Sequence, residues 1–266
     1  MVNVFVAAAL AAATPTAAPA PSQAPEPALF VVHNGGTTIY IFGTFHALDG
    51  RSQWFGDRLR DALDQSDELV LETLIPERPS EAIQPATAIR PPSVTPSASF
   101  LATTRMAINA GQARGMQVGN GADMVLRHVA ETEGKTVEGL ETLQLQIDMF
   151  NHMPPAPAPP LPRSAGAAIA ASQMKDLSKS MADMQAAWKR GDQSVFVRML
   201  DQLKAASPDT YRMMFTERNE RWADWIRART QTPGTVFVAV GAGHLAGRDS
   251  LLVKLAERGL PSQRVY

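Results

Sequence analysis

The chain has 266 residues, of which 45% are hydrophobic and 19% charged, and its formal net charge is -1. That length suits one large domain or two small ones with a proper apolar core, and the near-neutral balance provides no field to attract nucleic acid or an anionic membrane. There is no cysteine, which removes disulfides, thiolate nucleophiles, iron–sulfur clusters and cysteine-bound zinc, so any metal must be held by nitrogen and oxygen.

Met1 to Ala13 is an apolar run too short to span a bilayer, and Thr14 to Pro27 is built almost wholly from Ala, Pro, Thr, Ser and Gln. Residues 1–28 therefore read as the apolar part of an export signal followed by a tether, which implies a periplasmic or secreted protein with no stable membrane span. No Lys or Arg precedes the run, and an Ala/Pro tail on a cytoplasmic protein is the competing reading.

Residues 29–266 read as a single domain. Leu29 to Val32 and Thr37 to Phe42 flank the turn-forming string His33-Asn34-Gly35-Gly36, which predicts a hairpin. Phe55, Leu59, Ala62 and Leu63 recur at helical spacing within Trp54 to Gln65, and Glu68 to Leu74 returns as an apolar strand, giving a β-α-β opening. Pro76 to Ser99 reads as an irregular connection. A helical pattern follows from Phe100 to Gly115, and Asp123 is a candidate N-cap for a helix reaching about Glu133. Val137 to Leu140 predicts a short strand. Leu140, Leu143, Ile147 and Phe150 then share a helical stripe, which puts Glu141 at a strand-to-helix junction.

Residues 154–171 are expected to form an irregular Pro/Ala-rich insertion, because Pro154 to Pro162 is nearly all Pro and Ala. Helices are predicted at Ser172 to Lys189, Gln193 to Ala205 and Pro208 to Arg229. Thr235 to Val240 is a continuous apolar run leading into Gly241-Ala242-Gly243-His244, then a helix from Asp249 to Arg258 closed by Gly259, with Val265 at the start or the end of a last strand. Strands at both ends and helices between them predict an α+β or α/β fold. Its one mixed central sheet would be assembled from distant segments around a helical layer.

His46 and His244 share a local setting: apolar strand, glycine, two residues, histidine. Glycine lets the chain turn as it leaves the strand, and the histidine three residues on lies at the end of the sheet, where ligands gather in open α/β sheets. Two neutral imidazoles there suit a shared metal ion, and Glu72, flanked by apolar strand residues, supplies the carboxylate. A single Gly-x-x-His string is more often structural; the argument lies in two copies together with a strand glutamate that needs a partner if buried. Arg218 is the second oddity. Phe215, Arg218, Trp222, Trp225 and Arg229 fall on one helical face, so the guanidinium needs an anion, such as Glu72, Glu141 or a bound substrate, or else it stacks on Trp222. Asn219 reads as no more than a polar neighbour. His33, His128 and His152 read as a turn residue, a residue of an amphipathic helix and a loop-edge residue. There is no nucleophile elbow, Walker loop, dinucleotide fingerprint or His-Glu-x-x-His helix.

The strings ending in Gly43-Thr44-Phe45-His46 and Gly241-Ala242-Gly243-His244-Leu245, with Glu72, Gly139-Leu140-Glu141-Thr142 and Arg218-Asn219, resemble the TraB/PrgY/GumN family. That family includes the Tiki metalloproteases and is related in fold to the erythromycin esterase and ChaN-like group. The resemblance implies a metal-dependent hydrolase, peptidase-like, acting on a peptide or protein substrate. His46, His244 and Glu72 would hold a divalent ion, which can be Mn, Co, Zn or Fe. Glu72, as ligand or general base, and Arg218 and Glu141 would serve catalysis. The alternative is a binding protein that uses the same cleft for a peptide, or for haem or iron, without turnover.

Overall fold

A computed structural model gives the structure of residues 26–51, 53–74, 109–153 and 166–266. The expected export segment, the 76–99 connection, residues 100–108 of the following helical pattern and the Pro154 to Pro162 stretch lie outside the described residues. β1 (Leu29–Asn34) and β2 (Thr37–Thr44) form the predicted hairpin, turned through Gly35 at φ +56°. His33 thus belongs to β1 rather than to the turn. Helix α1 (Asp57–Asp64) begins three residues later than the pattern suggested, because Trp54 leaves the helix to stack on Phe42 and lie against Trp188, with ring centroids 6.0 and 5.6 Å away.

β3 (Glu68–Thr73), α2 (Ala122–Thr132) and β4 (Thr136–Glu141) follow, then α3 (Leu143–Asn151), capped by the Thr142 hydroxyl, which accepts from Leu145 N at 3.2 Å. Two expectations need correction. Gly121, not Asp123, caps α2, and Asp123 lies in its first turn. The irregular insertion does not reach residue 171, because α4 (Gly166–Lys189) begins at Gly166, where the alanine-rich composition favours helix more than any other residue type would.

α5 (Ser194–Ala206) is followed by α6 (Pro208–Tyr211), a π-helical turn (Arg212–Thr216) and α7 (Glu217–Arg229). What the sequence pattern presents as one helix is therefore interrupted by a wide turn just before Arg218. β5 (Gly234–Gly241), a 3₁₀ turn (Ala242–Leu245), α8 (Leu251–Glu257) and the short β6 (Gln263–Arg264) complete the chain. Ser250 caps α8, which leaves Asp249 outside the helix.

The six strands form one mixed sheet in the order β4-β3-β5-β2-β1-β6, so the class is α+β. β4, β3, β5 and β2 are parallel to one another, β1 pairs antiparallel with β2, and β6 pairs antiparallel with β1 at that edge. Strand alternation divides the core in two. Phe42, Leu69 and Phe237 face α1, α2, α4 and α5 through Leu59, Leu126, Trp188 and Leu200, while Ile41, Val70 and Val238 face α7 and α8 through Trp222, Ile226, Leu251 and Leu255. Burial on both faces is why these strands read as unbroken apolar runs.

One buried bond ties the helical layer to the sheet at the site. Trp188 Nε1 donates to Gly43 O at 2.7 Å. Replacing Trp188 with phenylalanine keeps the ring packing and orphans that carbonyl, so a loss of about 1–3 kcal/mol is expected in urea denaturation followed by circular dichroism. An unchanged midpoint would mean that the bond contributes nothing.

Candidate active site at the ends of the parallel strands

Four parallel strands end side by side, and each delivers one part of the site. Thr44 pairs with Gly241 across β2 and β5, and Thr73 pairs with Glu141 across β3 and β4. Glu141 is therefore the last residue of β4, Glu72 the last but one of β3, Gly241 the last of β5, and His46 stands two residues beyond β2. This is the carboxyl edge where α/β sheets bind ligands. The two Gly-x-x-His segments also pack on each other. A Cβ on Gly43 would lie 3.1 Å from Ala242 Cα, too close for backbone that cannot move away.

Arg218 is buried, 3% exposed, and all its guanidinium nitrogens are engaged. Nε donates to both carboxylate oxygens of Glu141 at 3.0 and 3.1 Å, and Nη2 donates to Glu141 Oε2 at 2.8 Å and to Glu72 Oε1. Nη1 donates to His244 Nε2 at 3.3 Å and to Met214 O at 3.4 Å, the latter in the π-helical turn. The group also stacks on Trp222, its Cζ 4.6 Å from the ring centroid, so both readings of Arg218 hold together. Glu141 accepts further bonds from Arg221 Nη2 and Trp222 Nε1, each at 3.2 Å. A buried carboxylate, Glu141, and a partly buried one, Glu72, on one planar cation satisfy the pairing that such charges require.

Glu72 turns its other oxygen inward. Oε2 accepts from Gly241 N at 3.2 Å, while Gln146 Nε2 donates to Oε1 at 3.3 Å. His244 is packed between Trp222 and Phe215, at 4.4 and 4.9 Å between ring centroids. Its Nδ1 lies 2.7 Å from Asn219 Oδ1, and the Asn219 amide is oriented by donating from Nδ2 to Asp249 O, also at 2.7 Å. An amide oxygen only accepts, so His244 carries its proton on Nδ1 and leaves Nε2 as an acceptor. His46 is handled in the same way by a different group, with Nδ1 3.2 Å from Asp123 Oδ1. At Gly241, an added Cβ would meet His46 Nε2 at 3.1 Å, Glu72 Oε2 at 3.5 Å and His244 Cδ2 at 3.6 Å. The expected His46, His244 and Glu72 thus surround one point, with Arg218 and Glu141 behind them.

Three residues without an expected role in the site belong to it. Asn219 and Gln146 stand next to recognised elements, the first beside Arg218 and the second one helical turn past Glu141. Asp123 is 77 residues from its partner, and no local pattern connects them. His33 and His152 bond elsewhere, to Thr38 Oγ1 at 3.1 Å and to Asp148 O at 2.7 Å.

Burial opposes ionisation of Glu72, but the charges of His244, Arg218 and His46 override it and hold its carboxyl down at about 2. Burial also disfavours the charged form of His244, and although Glu72 pulls the other way, the imidazole is pushed down to about 3. At neutral pH His244 is therefore uncharged, and Arg218 is the lasting cation beside Glu72. Unfolded His244 takes up a proton near 6.5, whereas folded His244 resists until about 3, so its contribution is full above pH 6.5 and shrinks as pH falls from 6.5 toward 3. Glu72 adds a loss in the same direction between 4.5 and about 2. His244 alone is expected to make metal-free protein about 2 kcal/mol less stable at pH 5 than at pH 7.5, and His46, whose pKa is raised, offsets part of that loss. Urea titrations at the two pH values check this, and the same slope in His244→Gln would assign the effect to another group.

The donor set is of the kind that holds a divalent ion: two imidazole Nε2 atoms and a carboxylate oxygen, with each imidazole bonded through Nδ1 to an outer oxygen. Among the described residues, no three His, Asp or Glu side chains already stand at metal-cage spacing. The Arg218 guanidinium lies against His244 Nε2 and Glu72 Oε1.

Helices on both faces of a mixed sheet, with a carboxylate, guanidinium and imidazole network buried at the carboxyl ends of its parallel strands, define an α+β protein whose polar site is part of its own core. The TraB/PrgY/gumN family matches residues 28–96 and 90–264, and the chain belongs to that family. No curated protein and no solved structure shows a significant match to it. No helix among the described residues is long and apolar enough to cross a membrane.

Proposed function

We propose that the protein is a metal-dependent hydrolase, peptidase-like, whose site is His46, His244 and Glu72. The observation that carries this reading is the matched setting of the two histidines: each is bonded through Nδ1 to an outer oxygen, and Nε2 of His46, the ring of His244 and Glu72 Oε2 all border the same space at Gly241. Ligating histidines are ordinarily supported in this way. When bound, a divalent Mn, Co, Zn or Fe ion would supply Lewis acidity and make water a nucleophile at neutral pH.

The chain's own residues divide the remaining work. A carboxylate held at about 2 is a weak base at neutral pH, which favours Glu72 as an anionic ligand over Glu72 as proton acceptor. Arg218, with every nitrogen engaged by protein atoms, orients Glu72 and keeps it ionised instead of contacting a substrate oxygen. Glu141 fixes Arg218. Phe215 and Trp222 shield His244 from water, which strengthens the electrostatics at its Nε2. The substrate class is a peptide or protein.

The test compares the metal content of wild type and the His46→Ala/His244→Ala double variant, both purified without chelators, by elemental analysis. A stoichiometric divalent metal in wild type and none in the variant is expected, together with cleavage of a peptide library that chelator abolishes. Equal metal in the two proteins would sink the proposal, and metal binding without cleavage would favour the non-catalytic binding reading.

A further inference from the structure

His46 presents a physical problem that His244 does not. His244 is packed between aromatic rings, whereas the His46 side chain is 57% exposed, and among the described residues its hydrogen-bond partner is Asp123. An imidazole so exposed is free to rotate about its side-chain bonds and to carry its proton on either nitrogen, and with the proton on Nε2 it has no lone pair to offer the site.

The start of α2 is built against this residue. Ala122 N donates to Phe45 O at 3.0 Å, and Gly121, the N-cap, passes so close to the His46 carbonyl that a Cβ there would lie 2.4 Å from its oxygen. These contacts fix the helix relative to the loop and set Asp123, in the first turn, 3.2 Å from His46 Nδ1. A carboxylate oxygen accepts, so the proton lies on Nδ1. An acidic residue in a first turn also interacts favourably with the helix dipole, and that effect alone would explain Asp123 without reference to His46.

We propose that Asp123 is a positioning residue of the site: its carboxylate holds the His46 imidazole in the Nδ1–H tautomer and so presents Nε2 to Glu72 and Gly241. Its importance for metal binding rests on the proposed function, but its effect on the ring does not. Asn219 does the same for His244 through an amide oxygen, so the two imidazoles reach the site in one tautomer by different means.

The test reads the ring directly. Nitrogen-15 NMR of uniformly labelled, metal-free protein at a pH where imidazoles are neutral distinguishes the tautomers, and the His46→Gln variant identifies the His46 signals. Wild type is expected to show Nδ1–H. Asp123→Ala is expected to move His46 toward the Nε2–H form that free side chains prefer, and Asp123→Asn to restore Nδ1–H, since an amide oxygen still accepts. Asp123→Ser, too short to reach the ring, replaces the alanine variant if that one does not fold. A wild-type His46 in the Nε2–H form, or a truncated variant with an unchanged Nδ1–H signal, overturns the proposal. In a parallel titration with Co²⁺ alone, truncation is expected to weaken binding by roughly 10–100-fold. A wild type that binds no Co²⁺ would defeat the proposed metal function, and the role of Asp123 would then be decided by the tautomer signal alone.

Discussion

Replacing Arg218 with methionine is expected to lower the unfolding free energy by about 3–5 kcal/mol, the usual cost of removing one partner from a buried ion network. The size follows from the number of groups stranded. Glu141 is 7% exposed and loses three of the five hydrogen bonds it accepts among the described residues, retaining Arg221 and Trp222, while Glu72 loses the cation that keeps it ionised. Methionine fills the aliphatic path over Trp222 but leaves Glu141 with only the half-exposed Arg221 as cation and Glu72 with no guanidinium, or makes them take up protons. Arg218→Lys should recover little, because one ammonium cannot donate to Glu141, Glu72 and His244 from a planar fork. Guanidinium denaturation at pH 7.5 measures the loss. A drop below about 1 kcal/mol, the range of exposed pairs, would show that the network contributes no more than a surface bridge.

Gly241→Ala is expected to fold and yet lose the site. The backbone there, φ -52° and ψ 135°, is open to any residue, so no conformational penalty attaches to the change. Its methyl group would sit where Nε2 of His46, Oε2 of Glu72 and the His244 ring converge, and the tightest contact, 3.1 Å, is to the exposed His46, which can give way. Stability should therefore fall by no more than about 1 kcal/mol, the modest end of overpacking effects. Co²⁺ binding should fall below detection in a titration that saturates wild type. A Gly241→Ala protein that binds Co²⁺ as wild type does would place the ion elsewhere and would remove the geometric basis of the proposed function.

The contrast between these two variants marks two kinds of residue in one site. Arg218 and Glu141 lie in the core and support the fold as well as the chemistry, so their removal should be read first in denaturation. Gly241 and His46 border the open part of the site, so their changes should be read in ligand binding.

Much of this was legible in the chain. β2, β3 and β5 are buried on both faces, so they appear as apolar runs. Gly43 and Gly241 end two of those runs, the first held to glycine by the backbone of Ala242 and the second bordering the site, so the repeated Gly-x-x-His string carries structural information and not only composition. Arg218 is legible because a charge among Phe215, Trp222 and Trp225 on one helical face demands an anion, and Glu72 and Glu141 are the ones it binds. The π-helical turn was not legible, since five residues of wider winding leave the side-chain pattern on either side nearly intact. The start of α4 is hidden for the opposite reason: the alanine-rich residues that begin it follow closely on a proline-rich stretch, and only proline opposes helix.

By itself, then, the sequence determined which strands are buried, where each turns, and which charged side chains cannot be left without partners, because these are properties of neighbouring residues and of hydrophobic periodicity. Only the tertiary structure decided how the ionic network is wired and which oxygens hold the two imidazoles. Asp123 reaches His46 across 77 residues, and Asn219 reaches His244 across 25, through the packing of helices against strand ends. A hydrogen bond forms within about 3 Å. Distances of that size are fixed when distant segments pack, and no local pattern encodes them.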